Sequence, residues 1–197
     1  MSYKKIPLSS SEVILSRFDP SPEALEVVDP KLPPAQTIQL LRSAGLLIDL
    51  TIFFAHALPM RESIWWCAIV LELRLDDWSE LERDTLLRCK EWVLKPEEAK
   101  RRLVEQRLQI LGHDCAIGWL AQAVFWSGVG SIADSAQPDV MPVPYLYAKA
   151  VAGAINTAAL KPEWKNYHAF YLDTFALAED LANGGQGVIK RAGAILP

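Results

Sequence analysis

Two very apolar stretches on either side of a proline decide the fold: LLIDLTIFFAHAL at residues 46–58 and IWWCAIVLEL at residues 64–73. Each is shorter than the roughly 20 residues that a helix needs to cross a bilayer. Asp49 and His56 interrupt the first stretch, and Pro59 stands between the two, in a place where proline favours the start of a helix. We therefore expect a buried helical hairpin and no membrane span.

Prolines also mark where most of the other helices should begin, because the missing N–H would be unpaired in the first turn anyway. The prolines in such positions are Pro22, Pro34, Pro59, Pro96, Pro144 and Pro162. With the apolar periodicity, they predict seven main helices, at about residues 35–57, 59–75, 79–94, 96–111, 114–126, 144–160 and 162–182. Residues 127–142, rich in Gly, Ser, Asp and Pro, should form a loop.

No segment alternates apolar and polar residues as a half-buried strand does. The expected fold class is therefore all-α: a single compact multi-helix bundle. We expect residues 1–33 to form an N-terminal arm with short helices and residues 34–197 to form the bundle domain. Its alanine-rich helix after Pro144 should be clasped between neighbours, since small side chains allow helices to approach closely.

The amino-acid composition argues against several classes of protein. Of 197 residues, 51% are hydrophobic and 22% are charged, which is too apolar for a disordered chain. The net charge of -4 argues against nucleic acid as a partner. Three widely spaced cysteines, Cys67, Cys89 and Cys115, do not make a disulfide framework, and no apolar signal segment follows the N-terminus. We expect a cytoplasmic protein.

Residues that could carry chemistry are scattered. His113-Asp114-Cys115 is the most suggestive run, but neighbours on a helix point about 100° apart, so a capping role is expected instead of Cys–His catalysis. The other histidines, His56 and His168, stand alone, without the short ligand spacings of a zinc site. Nucleotide-binding and hydrolase motifs are missing from the sequence. We therefore predict no catalytic residue, no metal and no cofactor.

Tryptophans and a proline-rich loop are the predicted partner-binding features. Trp78, Trp92 and Trp164 have polar sequence neighbours, and tryptophan is enriched at interface hot spots. The loop QPDVMPVPYLY, residues 137–147, offers apolar side chains on a stiff backbone. Its candidate contact residues are Pro142, Pro144, Tyr145 and Tyr147.

A second hypothesis concerns four polar residues in the apolar region around Pro59: Asp49, His56, Arg61 and Glu62. Charged groups in apolar surroundings need partners. They could line a pocket for a small molecule or a substrate, or they could form a buried ion pair beside a core histidine.

Two short motifs carry a family resemblance. The segment LPMRESIWWCA, residues 58–68, resembles an LP-x-R-E-x-x-W-W motif. The segment FYLDTFALAEDLANGGQG, residues 170–187, resembles a closing motif that contains A-x-D-x-A-x-G. Together they resemble an uncharacterised bacterial family of small helical proteins encoded near type VI secretion genes. The resemblance implies a non-enzymatic adaptor or co-chaperone, with a secretion effector or its chaperone as partner, and it brings no catalytic residue.

Overall fold

A computed structural model describes residues 2–134, 136–161 and 164–188, with Trp164 described by its backbone only. This part of the chain contains ten α-helices and no strand; an isolated bridge joins Tyr3 and Ile6. The helices are α1 (Glu12–Leu15), α2 (Pro22–Val27), α3 (Pro34–Ser43), α4 (Leu47–Ala57), α5 (Met60–Glu72), α6 (Glu80–Leu94), α7 (Glu98–Leu111), α8 (Ala116–Phe125), α9 (Leu146–Ala159) and α10 (Tyr167–Ala182). The all-α prediction is confirmed.

The helix count differs from the prediction at Gly45. One helix was expected over residues 35–57, and the structure has two, α3 and α4. Gly45 adopts a φ of 71°, and the N–H of Leu46 donates to the carbonyl oxygen of Leu41 at 3.0 Å. This is the pattern of a Schellman C-cap, in which a left-handed glycine ends a helix. A single glycine is tolerated inside a helical pattern, which is why one continuous helix was expected.

Other boundaries follow their capping residues. Ser79 opens α6 with a capping box, in which its side chain accepts from the N–H of Glu82 while the Glu82 carboxylate accepts from the N–H of Ser79. Gly112, with a φ of 69°, ends α7. The last helix, α10, begins at Tyr167 and not near residue 162, because a 3-10 turn at Trp164–Asn166 precedes it. Pro162 itself lies outside the described residues.

Helix α9 lies at the centre of the bundle and packs mainly against α8, α4 and α5. Six of its alanines are fully or almost fully buried: Ala148, Ala150, Ala152, Ala154, Ala158 and Ala159. A Cβ on Gly153 would lie 3.4 Å from the Trp119 ring of α8. The apolar stretches around Pro59 therefore share α9 as a common partner. They meet directly near the turn, where Ser63 Oγ donates to the carbonyl oxygen of Ala55 at 2.9 Å.

The N-terminal residues are continuous with the bundle core. Ile6 and Ile14 are buried in the same apolar cluster as α4 and α9. The hydroxyls of Ser11 and Thr37 lie 2.7 Å apart, and the N–H of Lys5 donates to the carbonyl oxygen of Ala182 at 2.8 Å. No helix in the described part of the chain is both long enough and apolar enough to span a membrane.

The close packing around α9 predicts an asymmetric response to the same substitution. Ala154→Leu inserts a large side chain at a fully buried position, and overpacking of this kind costs about 1–3 kcal/mol. Ala176→Leu places the same side chain at an exposed position of α10 and should change the free energy of unfolding by less than about 0.5 kcal/mol. Urea denaturation of both variants measures the difference, and equal stabilities would contradict the central position of α9.

Candidate functional site

The two motif segments, residues 58–68 and 170–187, come together where α5 begins and where the chain leaves α10. They line a surface groove of about 710 Å³, which we name the motif groove. Its lining residues are Lys5, Pro59, Arg61, Glu62, Trp65, Val93, Leu94, Leu181, Gly185, Gln186 and Val188. Residues more than 100 positions apart in the sequence thus line the same groove. Motif positions from both segments reach the surface there.

Trp65 and Asp180 hold the two segments together. The indole Nε1 of Trp65 donates to the carbonyl oxygen of Gln186 at 3.2 Å. The Asp180 carboxylate accepts from the N–H groups of Gly187 and Val188 at 3.0 and 3.2 Å. A Cβ at Gly185 would lie 2.1 Å from Asp180 Oδ2, so only glycine fits beside this carboxylate. We call residues 183–188, which follow α10, the tail. Hydrogen bonds of its backbone to Trp65 and Asp180 fold it back toward α5.

Arg61 joins the groove to the end of α6. Its Nε donates to the carbonyl oxygen of Val93 at 3.1 Å, its Nη2 donates to the same oxygen, and Nη2 also reaches the carbonyl oxygen of Leu94 at 3.4 Å. The last carbonyls of a helix lack intrahelical donors and carry partial negative charge, so a guanidinium is well placed there. Arg61 has no carboxylate partner among the described residues.

Charge and apolar surface lie side by side in the groove. Glu62 accepts from Lys5 Nζ at 2.6 Å, so its ion-pair partner is Lys5 and not another of the four polar residues around Pro59. Two cationic side chains and one anionic side chain line the groove, which leaves an excess of one positive charge. The adjoining side chains of Leu94 and Val188 are 70% and 53% exposed. The groove is thus an open apolar surface beside a guanidinium.

The four polar residues around Pro59 do not share a pocket, so that prediction is wrong. Arg61 and Glu62 line the motif groove, whereas Asp49 and His56 each line a different depression. The Asp49 carboxylate accepts from the N–H and the hydroxyl of Ser21, the N-cap of α2, at 2.9 and 3.0 Å. Arg61 is exposed and Glu62 is half-buried on the first turn of α5, whereas Asp49 and His56 are buried on α4.

Two of the predicted partner-facing tryptophans lie inside the protein. Trp78 is 2% exposed and donates from Nε1 to the carbonyl oxygen of Leu71 at 2.8 Å, and Trp92 is fully buried. The expectation that these rings lie on the surface is wrong, since polar sequence neighbours do not fix the direction of a ring; on the amphipathic α6, Trp92 lies on the buried face. The side chain of Trp164 lies outside the described part of the chain.

The proline-rich loop exposes different residues from those expected. Tyr147 is buried, and Tyr145 is half-buried under the guanidinium of Arg17, 4.2 Å from its ring centre. Pro142 is partly exposed and Pro144 is exposed. The largest exposed apolar side chains of the loop are aliphatic: Val140, Met141 and Val143. Loop binding to a partner stays a prediction.

The surroundings of the three cysteines and His113 are those of packing and capping residues. The Cys115 sulfur accepts from the N–H of Gly118 at 3.3 Å and caps α8, and burial raises the pKa of its thiol. His113 hydrogen-bonds to Gln122 Oε1 at 2.7 Å and not to Cys115. Burial also raises the pKa values of Cys67 and Cys89. Within the described ranges, no three His, Cys, Asp or Glu residues lie close enough together to hold a metal ion.

Comparison with known proteins finds one family. Residues 37–182, which include the whole first motif segment and residues 170–182 of the second, match the family described as a family of unknown function (DUF6931). No curated protein and no solved structure matches the chain.

A pair of glycines tests the packing of the tail on α5. Gly187 and Gly128 both have a φ of 82°, but a Cβ at Gly187 would lie 2.3 Å from Ile69 Cδ1, whereas a Cβ at Gly128 meets nothing within 4 Å. Gly128→Ala should cost about 1–2 kcal/mol for the left-handed backbone alone. Gly187→Ala should cost more in the free energy of unfolding and should also lower the hydrogen-exchange protection of the Val188 amide. Equal costs for the two variants would show that the tail does not pack on α5.

Proposed function

The chain belongs to the DUF6931 family, and we propose that it is a non-enzymatic interaction protein whose motif groove holds an apolar segment of a partner protein. One observation carries the proposal: two motifs from opposite parts of the chain converge on one open groove. Here Arg61, Trp65 and Gln186 line the surface.

The chemistry of the groove favours a particular kind of segment. Leu94 and Val188 offer apolar area that would be removed from water by an apolar side chain of the partner. Arg61 and Lys5 lie beside that area, and only Glu62 among the groove residues opposes their charge. Complementary charge adds specificity and speeds association. We therefore propose a partner segment with apolar side chains and at least one Asp or Glu.

The resemblance of the two motifs supports a finer proposal about the partner. Both motif segments resemble those of an uncharacterised bacterial family encoded near type VI secretion genes, and both contribute to the groove. We propose that the partner is a secretion effector or its chaperone, and that the chain acts as an adaptor or co-chaperone in the bacterial cytoplasm. The exposed aliphatic residues of the proline-rich loop offer a second contact surface for the same partner.

The test compares two leucine-sized exposed side chains, one inside the groove and one outside it. A random peptide library is selected on the wild-type protein, and the affinities of the recovered peptides are then measured for Leu94→Asp and Ile110→Asp. Ile110 is 67% exposed on α7 and does not line the groove. Leu94→Asp should weaken binding by about tenfold or more, because burial of a leucine contributes about 1.5–3 kcal/mol. Ile110→Asp should leave the affinity unchanged.

The composition of the recovered peptides is the second readout. Enrichment of apolar residues together with Asp or Glu is the expected result, and replacing that acid by its amide should weaken binding to the wild type. Peptides that bind both variants equally would place the interaction elsewhere. Enrichment of Lys and Arg would contradict the charge argument, and a wild-type protein that selects no peptide would overturn the proposal.

A further inference from the structure

A second open surface runs along α10 and shares no lining residue with the motif groove. It consists of two depressions of about 180 and 390 Å³, and the two are continuous because Leu47 and Tyr171 line both. We name the joined depressions the α10 cleft. From Tyr167 to Glu179 the cleft follows α10 for about 18 Å, or three helical turns. The end of α3 and the start of α4 supply the facing wall.

Aromatic rings form the floor of the α10 cleft. Tyr167, Tyr171 and Phe175 follow one another at four-residue spacing, and adjacent ring centres in this row lie 6.2 and 5.6 Å apart. Leu172 of α10 and Ile48 of α4 line the cleft and are 70% and 51% exposed. This surface suits the apolar face of an amphipathic helix, which is a common mode of peptide recognition.

One end of the cleft already holds a cation. Arg42 Nη2 donates to Glu179 Oε1 at 2.6 Å, and the guanidinium carbon of Arg42 lies 5.9 Å from the ring centre of Phe175. A carboxylate attracts a guanidinium by charge, and an aromatic ring attracts it through its negative face. The protein's own Arg42 thus shows which kind of group the aromatic row and a bordering carboxylate accommodate.

The other end of the cleft offers the same kinds of group without a cation. Tyr167 and Tyr171 supply the rings there, and Glu23 supplies a carboxylate. Glu23 is exposed, and no hydrogen bond or ion pair joins it to the described part of the chain. Asp49, the second carboxylate at this end, accepts two hydrogen bonds from Ser21. Among the described residues, no Lys, Arg or His lines this end.

The charge of the cleft as a whole is negative. Three carboxylates and one guanidinium line it, and with His168 counted as neutral this leaves an excess of two negative charges. The motif groove, by contrast, has an excess of one positive charge. A partner segment that complements the cleft therefore carries positive charge.

We infer that the α10 cleft holds an amphipathic helical segment of a partner protein, with aliphatic side chains against Ile48 and Leu172 and an arginine at Glu23. The partner's arginine repeats, at the open end of the aromatic row, the arrangement that Arg42 makes at the other end. Since the two surfaces share no residue and attract opposite charges, this inference does not rest on the function proposed for the motif groove.

The first test uses two leucines that are equally exposed, at 70%, one in each surface. A random peptide library is selected on the full chain carrying Leu94→Ser, which removes an apolar contact of the motif groove without adding a charge. The recovered peptides should be rich in Leu or Ile at helical spacing together with Arg. Leu172→Ser should weaken their binding about tenfold or more, because a buried leucine contact is lost. The wild type should bind them as tightly as Leu94→Ser does.

A second pair of variants tests the charge at Glu23. Glu23 and Glu12 are both exposed carboxylates in the first turn of a short helix, and only Glu23 lines the cleft. Glu23→Gln should weaken binding of the peptides about two- to fivefold, as the loss of an exposed ion pair does. Glu12→Gln should leave the affinity unchanged. Replacing the peptide's arginine by methionine should cost affinity for the wild type but not for Glu23→Gln.

Several results would overturn the inference: a selection that recovers no peptide, recovered peptides rich in Asp and Glu, equal binding by Leu172→Ser and the wild type, or equal effects of Glu23→Gln and Glu12→Gln. All four variants change exposed positions, so none should prevent folding. Peptides of the α10 cleft keep their affinity when Leu94 is replaced. Their arginine therefore does not bear on the charge argument for the motif groove.

Discussion

The structure depends on the small side chains of α9. Alanines at the buried positions of this helix let α4, α5 and α8 approach its backbone closely. The apolar stretches around Pro59 bury their side chains against it. Close packing of this kind cannot absorb added volume without strain. Because α4 and α5 are fixed on α9, the turn at Pro59 is fixed as well, and with it the direction in which the first turn of α5 faces.

This orientation of α5 places its two neighbouring tryptophans in different surroundings. Trp66 faces the core, where its Nε1 donates to the carbonyl oxygen of Thr174 at 2.8 Å. Trp65 lies about 100° away around the helix and meets Gln186 at the surface. One pair of residues thus binds α5 both to α10 and to the segment that follows it. These contacts form the motif groove at the surface of the protein. In that groove, Arg61 donates to the carbonyl groups at the end of α6.

Much of the fold could be predicted because its signals are local. Prolines, the capping box at Ser79 and the glycines at Gly112 and Gly184 mark most helix boundaries correctly. Gly45 also carried a signal, but a lone glycine inside a helical pattern does not by itself show that the helix ends there. The burial of Trp78 and Trp92 could not be read from polar neighbours, because burial depends on which helix packs against which face. The motif groove needs contacts between distant segments; the sequence identified both of its motifs without indicating that they meet.

We propose above all that a partner binds at the joint between α5 and the tail. The indole N–H resonance of Trp65 reports on this joint, since that group donates to Gln186, and the Trp66 indole, buried against Thr174, serves as the internal reference. A groove-selected peptide at saturation should move the Trp65 resonance and leave the Trp66 resonance in place. A bound peptide that leaves Trp65 unchanged would contradict the claim.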